Sequence, residues 1–196
     1  MLTANERKVL RLLMASSDYN SINDIAKACS LAPNGAYKIL KKLEMLGVLS
    51  FDNIGKIKAY KINFSNTLAQ SYIEIALADG RINEPKIKIR LRDLQEMKQE
   101  CKAAILFGSY ITEKKNPEDI DIVFVFEKEK FEEYKKKLEQ AKDVIPYKVH
   151  DIIQTPEDLS NNLKKRDGVI ANAIRNGVVL WGHEIIARSI KNAKTK

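Results

Sequence analysis

Two short apolar runs joined through an acidic corner constrain this chain more than any other feature. The first run, residues 103–107 (Ala-Ala-Ile-Leu-Phe), stops at Gly108-Ser109. The second, residues 122–126 (Ile-Val-Phe-Val-Phe), is entered through Asp119-Ile120-Asp121, and nine residues lie between Ser109 and Asp119. Runs this short, rich in β-formers and bounded by a Gly-Ser corner, predict buried strands. Side chains two apart in a strand share a face, so Asp119 and Asp121 project together while Ile120 and Ile122 point into the core. Left unpaired in an apolar sheet, the two carboxylates would repel and resist ionisation. A bound divalent cation relieves both problems.

A third strand-like run, residues 147–153, carries Asp151, which would complete a triad if this strand pairs beside Asp119 and Asp121. Asp143 and Asp158 compete for that place, but they lie beside helix-like or Pro-containing segments. His150 then falls on the opposite strand face from Asp151 and reads as packed or exposed, not as a ligand. His183 falls at the start of a C-terminal helix and takes no role. Three carboxylates with triphosphate oxygens and water suit Mg²⁺, with Mn²⁺ as a substitute. Two such ions can handle an attacking hydroxyl and a leaving pyrophosphate in one in-line displacement. Gly108 lets backbone approach a phosphate closely, and Ser109 adds a hydroxyl. Lys114 and Lys115 in the same loop could add positive charge, although loop lysines are more often solvated.

Gly-Ser, nine residues, Asp-x-Asp on an apolar strand and a later strand Asp together resemble the minimal nucleotidyltransferases of the DNA polymerase β superfamily. The resemblance spans about residues 84–182. Its last part, residues 169–181 with the run Gly-Val-Val-Leu-Trp-Gly at 177–182, looks like that family's terminal helix and short strand. It implies that Gly108 and Ser109 bind a nucleoside triphosphate and that Asp119, Asp121 and Asp151 coordinate metal, Asp151 also helping to activate the acceptor hydroxyl. The implied reaction transfers a nucleoside monophosphate to a hydroxyl and releases pyrophosphate. Minimal members lack the added domain that recognises base and acceptor, so the acceptor could be a protein, an RNA end or a small molecule. Some relatives act with a partner protein.

The first third of the chain has a different pattern. Thr3 and Asn5 offer caps to a helix with Val9, Leu10, Leu12, Leu13 and Met14 on its apolar side. Ser21 and Asp24 have capping-box spacing ahead of Ile22, Ile25, Ala26 and Cys29. Pro33 opens a third helix whose inner face is Ala36, Ile39, Leu40, Leu43 and Leu46, and Gly47 stops it. A hairpin pattern follows: residues 48–51, a turn through Asp52, Asn53 and Gly55, then residues 56–63.

Three helices and a hairpin predict a winged helix-turn-helix over residues 1–64. Residues 21–50 resemble the winged-helix domains of prokaryotic transcription regulators. That resemblance implies double-stranded DNA as partner, with Asn34, Tyr37, Lys38, Lys41 and Lys42 facing outward on the third helix and Lys56 and Lys58 on the wing. Charge agrees: residues 1–64 hold ten Lys/Arg against five Asp/Glu, a net +5, which leaves +3 of the chain's +8 for the rest. The plainer alternative is a protein-protein module with a solvated lysine face. Regulators of this type that read two half-sites make a homodimer a reasonable expectation.

Residues 65–83 read as a helical connector, capped at Ser65 or Asn66, with Leu68, Ala69, Tyr72, Ile73, Ala76 and Leu77 on one face. That face needs cover from the domain junction or from a second copy, and the sequence does not choose between them. A further helix is expected from Glu84-Pro85 to about Glu100, with solvated charges, opening a nucleotidyltransferase domain over residues 84–196. The expected class is α+β. Cys29 and Cys101 have no companions at metal-ligand spacing and read as buried apolar residues. No run approaches a membrane span and no signal pattern opens the chain, so a cytoplasmic protein is expected. The basic tail, residues 188–196, could contact nucleic acid but reads more simply as a frayed terminus. Two function classes remain: a metal-dependent nucleotidyltransferase joined to a DNA-binding domain, or a DNA-binding regulator whose nucleotidyltransferase domain senses nucleotide without transferring it.

Overall fold

The computed structural model describes residues 2–16, 20–112 and 117–195. Three helices come first: α1 (Ala4–Ala15), α2 (Ile22–Cys29) and α3 (Pro33–Met45). Thr3 caps α1 in a reciprocal box with Glu6, and Ser21 does the same for α2 with Asp24. Each box satisfies two backbone donors that the first helical turn leaves free. Strands β1 (Leu49–Ile54) and β2 (Ile57–Ile62) form an antiparallel hairpin in which Ile54 faces Ile57 across a turn at Gly55-Lys56. Of the expected turn residues, Gly55 lies in the turn, while Asp52 and Asn53 belong to β1. Leu46, expected inward on α3, is 38% exposed because the helix has ended and its cap sits on the rim.

Helix α4 (Thr67–Leu77), capped by Asn66, packs on α1 and on the last helix, α9 (His183–Lys194). The junction therefore covers most of its apolar face, while Leu68 and Ile75 stay exposed. The expected long helix over residues 84–100 is shorter: α5 (Pro85–Asp93) gives way at Leu94 to a 3-10 turn, Gln95–Gln99. One of its supposedly solvated charges, Arg90, is buried and pairs with Asp93 at 3.0 Å.

The second half is built on a four-stranded mixed sheet of order β5-β4-β3-β6, made by β3 (Cys101–Phe107), β4 (Asp119–Phe126), β5 (Lys148–Gln154) and β6 (Val178–Trp181). β3 runs antiparallel to β4 and β6, and β5 runs parallel to β4 after a crossover through α6 (Phe131–Val144). Tyr134 of α6 is fully buried, edge-on to Phe124 and stacked on Phe126, which fixes α6 over the face that Ile120, Ile122 and Phe124 share. Helix α7 (Pro156–Lys164) packs with α9 and against β4 and β5, and α8 (Gly168–Asn176) packs with α7 and against β3. α9 continues to Lys194 with Ser189 and Ile190 buried, so most of the expected frayed tail is packed helix. Cys29 and Cys101 are both buried free thiols, as read from sequence.

The two halves share one core. α1 lies against α8, and Arg11, only 3% exposed, donates to the Gly177 carbonyl at 2.7 Å and pairs with Asp79 at 3.4 Å. Burial draws Arg11 down to about 10, still protonated at neutral pH, and the Asp79 charge opposes that draw. Arg81 ties the same carboxylate and reaches the Asn176 carbonyl at 2.9 Å. Among the described residues no helix is long and apolar enough to cross a membrane.

Candidate active site

The corner between β3 and β4 is set by a glycine that nothing else can replace. Gly108 has φ +77°, and a Cβ built on it would stand 2.0 Å from Oδ2 of Asp121. The backbone therefore lies directly against this carboxylate, in a conformation side-chain-bearing residues rarely adopt. Ser109 opens a 3-10 turn, Ser109–Ile111, and its hydroxyl donates to Oδ1 of Asp119 at 3.3 Å. Gly108, Ser109, Asp119 and Asp121 are thus brought together, with both carboxylates on one face of β4 and both partly exposed.

The turn is braced from behind by residues that sequence reasoning missed. Tyr110 donates to the Lys86 carbonyl at 3.1 Å and stands edge-on to Tyr147, centroids 5.3 Å apart. The Arg90 guanidinium sits 6.0 Å from the Tyr110 ring and 5.5 Å from the Tyr147 ring. Among the described residues its Nε and Nη1 have no hydrogen-bond partner, so the ring faces serve as their neighbours. Arg90 was legible only as one charge among many on a short amphipathic helix.

Asp151 does not join the pair. β4 and β5 are in parallel register with Asp121 beside His150 and Ile122 beside Asp151, so Asp151 shares the α6 face. There Tyr134 donates to its Oδ2 at 3.2 Å and Lys142 lies 3.5 Å from its Oδ1. Burial, with the Asp151 charge second, pushes the Tyr134 phenol far up and keeps it a donor at any ordinary pH. The expected carboxylate triad is therefore corrected to two carboxylates and a histidine: Nδ1 of His150 lies 3.5 Å from Asp119 Oδ2 and 3.5 Å from Asp121 Oδ1. The physical reason is strand parity, since one residue along β5 exchanges the two faces of the sheet.

Residues 89–185 match the family model described as Polymerase beta, Nucleotidyltransferase. This stretch has the nucleotidyltransferase fold of that family. Neither a curated protein nor a solved structure matches the chain. The matched stretch of the nucleotidyltransferase domain contains the Gly108-Ser109 corner, Asp119, Asp121, His150 and Asp151 together.

Domains of this superfamily generally use divalent metal ions. The fit here is partial. Two carboxylates converge on the Gly-Ser corner, and among the described residues no Lys or Arg pairs with either of them. The third acid of a two-ion arrangement is missing, and among the described residues no group of three His, Cys, Asp or Glu side chains is placed so that it could hold a metal ion. Lys114 and Lys115 lie outside the described residues.

The outward residues of α3 are placed as follows. Asn34, Tyr37, Lys38 and Lys42 are exposed, and Lys41 is half-buried. Two of the lysines are already engaged, Lys42 with Glu6 at 2.6 Å and Lys41 with Glu44 at 3.1 Å. Tyr37, Lys38, Met45 and Leu46 line a shallow groove of about 570 Å³ with them. On the hairpin Lys56 is exposed, and Lys58 lies over the Phe51 ring at 3.6 Å.

Proposed function

We propose that the second half of the chain transfers a nucleoside monophosphate from a nucleoside triphosphate to an acceptor hydroxyl, with release of pyrophosphate. The observation that carries this reading is the Gly108-Asp121 apposition: a backbone corner open to phosphate, pressed against a carboxylate whose neighbour two residues back lies on the same strand face. In this reading Gly108 and Ser109 hold the triphosphate, and Asp119 and Asp121 are the protein ligands of a divalent cation. When bound, that cation would screen the phosphate charge and polarise the phosphorus-oxygen bond that breaks. Tyr110, Tyr147 and Arg90 keep the corner from moving. The test is incubation with α-labelled triphosphates, a divalent cation and candidate acceptors, beside Asp119→Asn/Asp121→Asn. Label transfer by the wild type that the double variant lacks is the expected result. Transfer unaffected by the double variant would refute the assignment.

One observation favours a second reading, a domain that binds nucleotide without transferring it: the place of the third acid is taken by His150. Measurable triphosphate binding with no transfer under any divalent cation would select it.

For residues 1–64 we propose a winged helix-turn-helix that binds double-stranded DNA, as a homodimer where two half-sites are read. Three helices followed by an antiparallel hairpin, with Asn34, Tyr37 and Lys38 exposed on the third helix and Lys56 on the hairpin, support it. A cytoplasmic location accords with this role.

A further inference from the structure

We propose that the cavity between the hairpin and the helices α7 and α9 is a binding site for an organic anion with an apolar body. It lies where the two halves of the chain stand side by side, with Leu13 of α1, β2 and Phe64 on one side and α7 and α9 on the other. Gly108, Ser109, Asp119 and Asp121 take no part in its lining, so the site is separate from the transfer site proposed above.

The cavity measures about 460 Å³, inside the range of roughly 300–1,000 Å³ that small-molecule sites occupy. Its apolar lining comes from Leu13, Ile62 and Phe64 of the first half and from Leu163 and Ala193 of the second. The polar groups of the wall at Ser16 and Asn20 are turned to protein partners. Nδ2 of Asn20 donates to Oγ of Ser16 at 2.9 Å, the Asn20 carbonyl accepts from the Tyr60 N–H at 2.9 Å, and the Ser16 carbonyl accepts from Nζ of Lys194. Groups already paired in this way ask little of a ligand, so the interior favours an apolar body.

Charge around the cavity is one-sided. Lys61, Lys164 and Lys194 lie along it, and no Asp or Glu is among its described lining residues. Lys164 is exposed, and Lys61 is steadied by Asp52 of β1 at 2.5 Å. A cationic ligand would meet three like charges, and a neutral one would leave the ammonium groups to water. A carboxylate carried on the apolar body gains charge-assisted hydrogen bonds from them instead. Such an occupant touches both halves at once, so binding should also stabilise the chain against unfolding.

Three probes that share one body and differ in charge test this: 2-naphthoate, its neutral amide and the 2-naphthylmethylammonium ion, with decanoate as a second acid. Calorimetry on the full chain should show one saturable site for at least one of the acids. Naphthoate should bind about fivefold more tightly than the amide, and the ammonium ion should not bind. The melting temperature should rise with acid concentration. Lys164→Ala should lower the preference for acid over amide by about twofold. Ala193→Trp, which fills the cavity from the partly buried side of α9, should bind neither acid. Asp119→Asn/Asp121→Asn should bind the acids like the wild type. No binding of either acid, an amide as tight as naphthoate, or wild-type affinity in Ala193→Trp would overturn the proposal. So would loss of acid binding in Asp119→Asn/Asp121→Asn, which would move the acid to the Gly-Ser corner. Circular dichroism identifies a misfolded variant, and the charge series on the wild type decides even if Ala193→Trp does not fold.

Discussion

Gly108 and Asp121 occupy space that no third atom can enter: a methyl group on the glycine would stand 2.0 Å from the carboxylate oxygen. Gly108→Ala must therefore both strain a positive φ and push Asp121 out of line. We expect a stability loss of about 1–3 kcal/mol and weaker triphosphate binding. Thermal melts and nucleotide titrations check it, and wild-type nucleotide affinity in this variant would show that the corner is not the phosphate seat.

Asp151 and Asp121 should give opposite results when neutralised. Asp151→Asn removes charge from a site held by Tyr134 and Lys142, so the protein should lose about 1–3 kcal/mol of stability and keep its metal affinity. Asp121→Asn should lose metal affinity with a much smaller stability change. Denaturant unfolding combined with a metal titration decides, and an Asp151 variant that folds normally yet binds no metal would restore the acidic triad.

Acid sensitivity should centre on Asp79. Burial raises its pKa, but hydrogen bonds from Arg81 and the charges of Arg81 and Arg11 outweigh burial and hold the carboxyl below its ordinary value of 3.8. A depressed folded-state value contributes stability that is complete above the unfolded value and is lost as pH falls through the folded one. The wild type should therefore lose this contribution as pH drops below about 4, while Asp79→Asn lacks it at every pH. Urea midpoints from pH 6 down to pH 3 should converge for the two proteins, and parallel curves would contradict the assignment.

On α3 the lysines should divide. Lys38 is exposed and free to meet phosphate, so Lys38→Ala should weaken duplex binding and reduce its salt slope by about one. Lys42 is paired with Glu6, a buried acid whose pKa burial raises but whose hydrogen bonds with Lys42 and Thr3 hold it low on balance. Lys42→Ala should mainly lower the melting temperature by stranding that acid. Fluorescence anisotropy across a salt series distinguishes the two, and equal slopes for Lys38→Ala and the wild type would count against DNA contact through this helix.

What could be read from sequence follows from which distances are local. Asp119 and Asp121 share a face because a strand repeats every two residues, and the Ser21-Asp24 and Thr3-Glu6 boxes close within three. Gly108 stood out because it ends an apolar run. The partner of Asp121 on β5 depends instead on the register between two strands separated by a whole helix. Residues 149–153 alternate too weakly to fix parity, since Ile152 and Ile153 are both partly buried. Val149 was the available clue, because a buried residue two before Asp151 puts both on the covered side. Arg90 was hidden for a related reason: its burial is created by Tyr110 and Tyr147, which reach it from elsewhere in the chain.

Arg11 places a side chain of the first helix against the last strand's entry, and α1 lies along α8. The opening segment is thus a wall of the half that follows it. Removing residues 1–64 to obtain the second half alone would strip cover from α8 and leave Asp79 with one arginine where it had two. Any molecule reaching Asp119 and Asp121 must then do so at a fixed distance from the exposed side of α3, as on a bench vice whose jaw and tool rest are one casting.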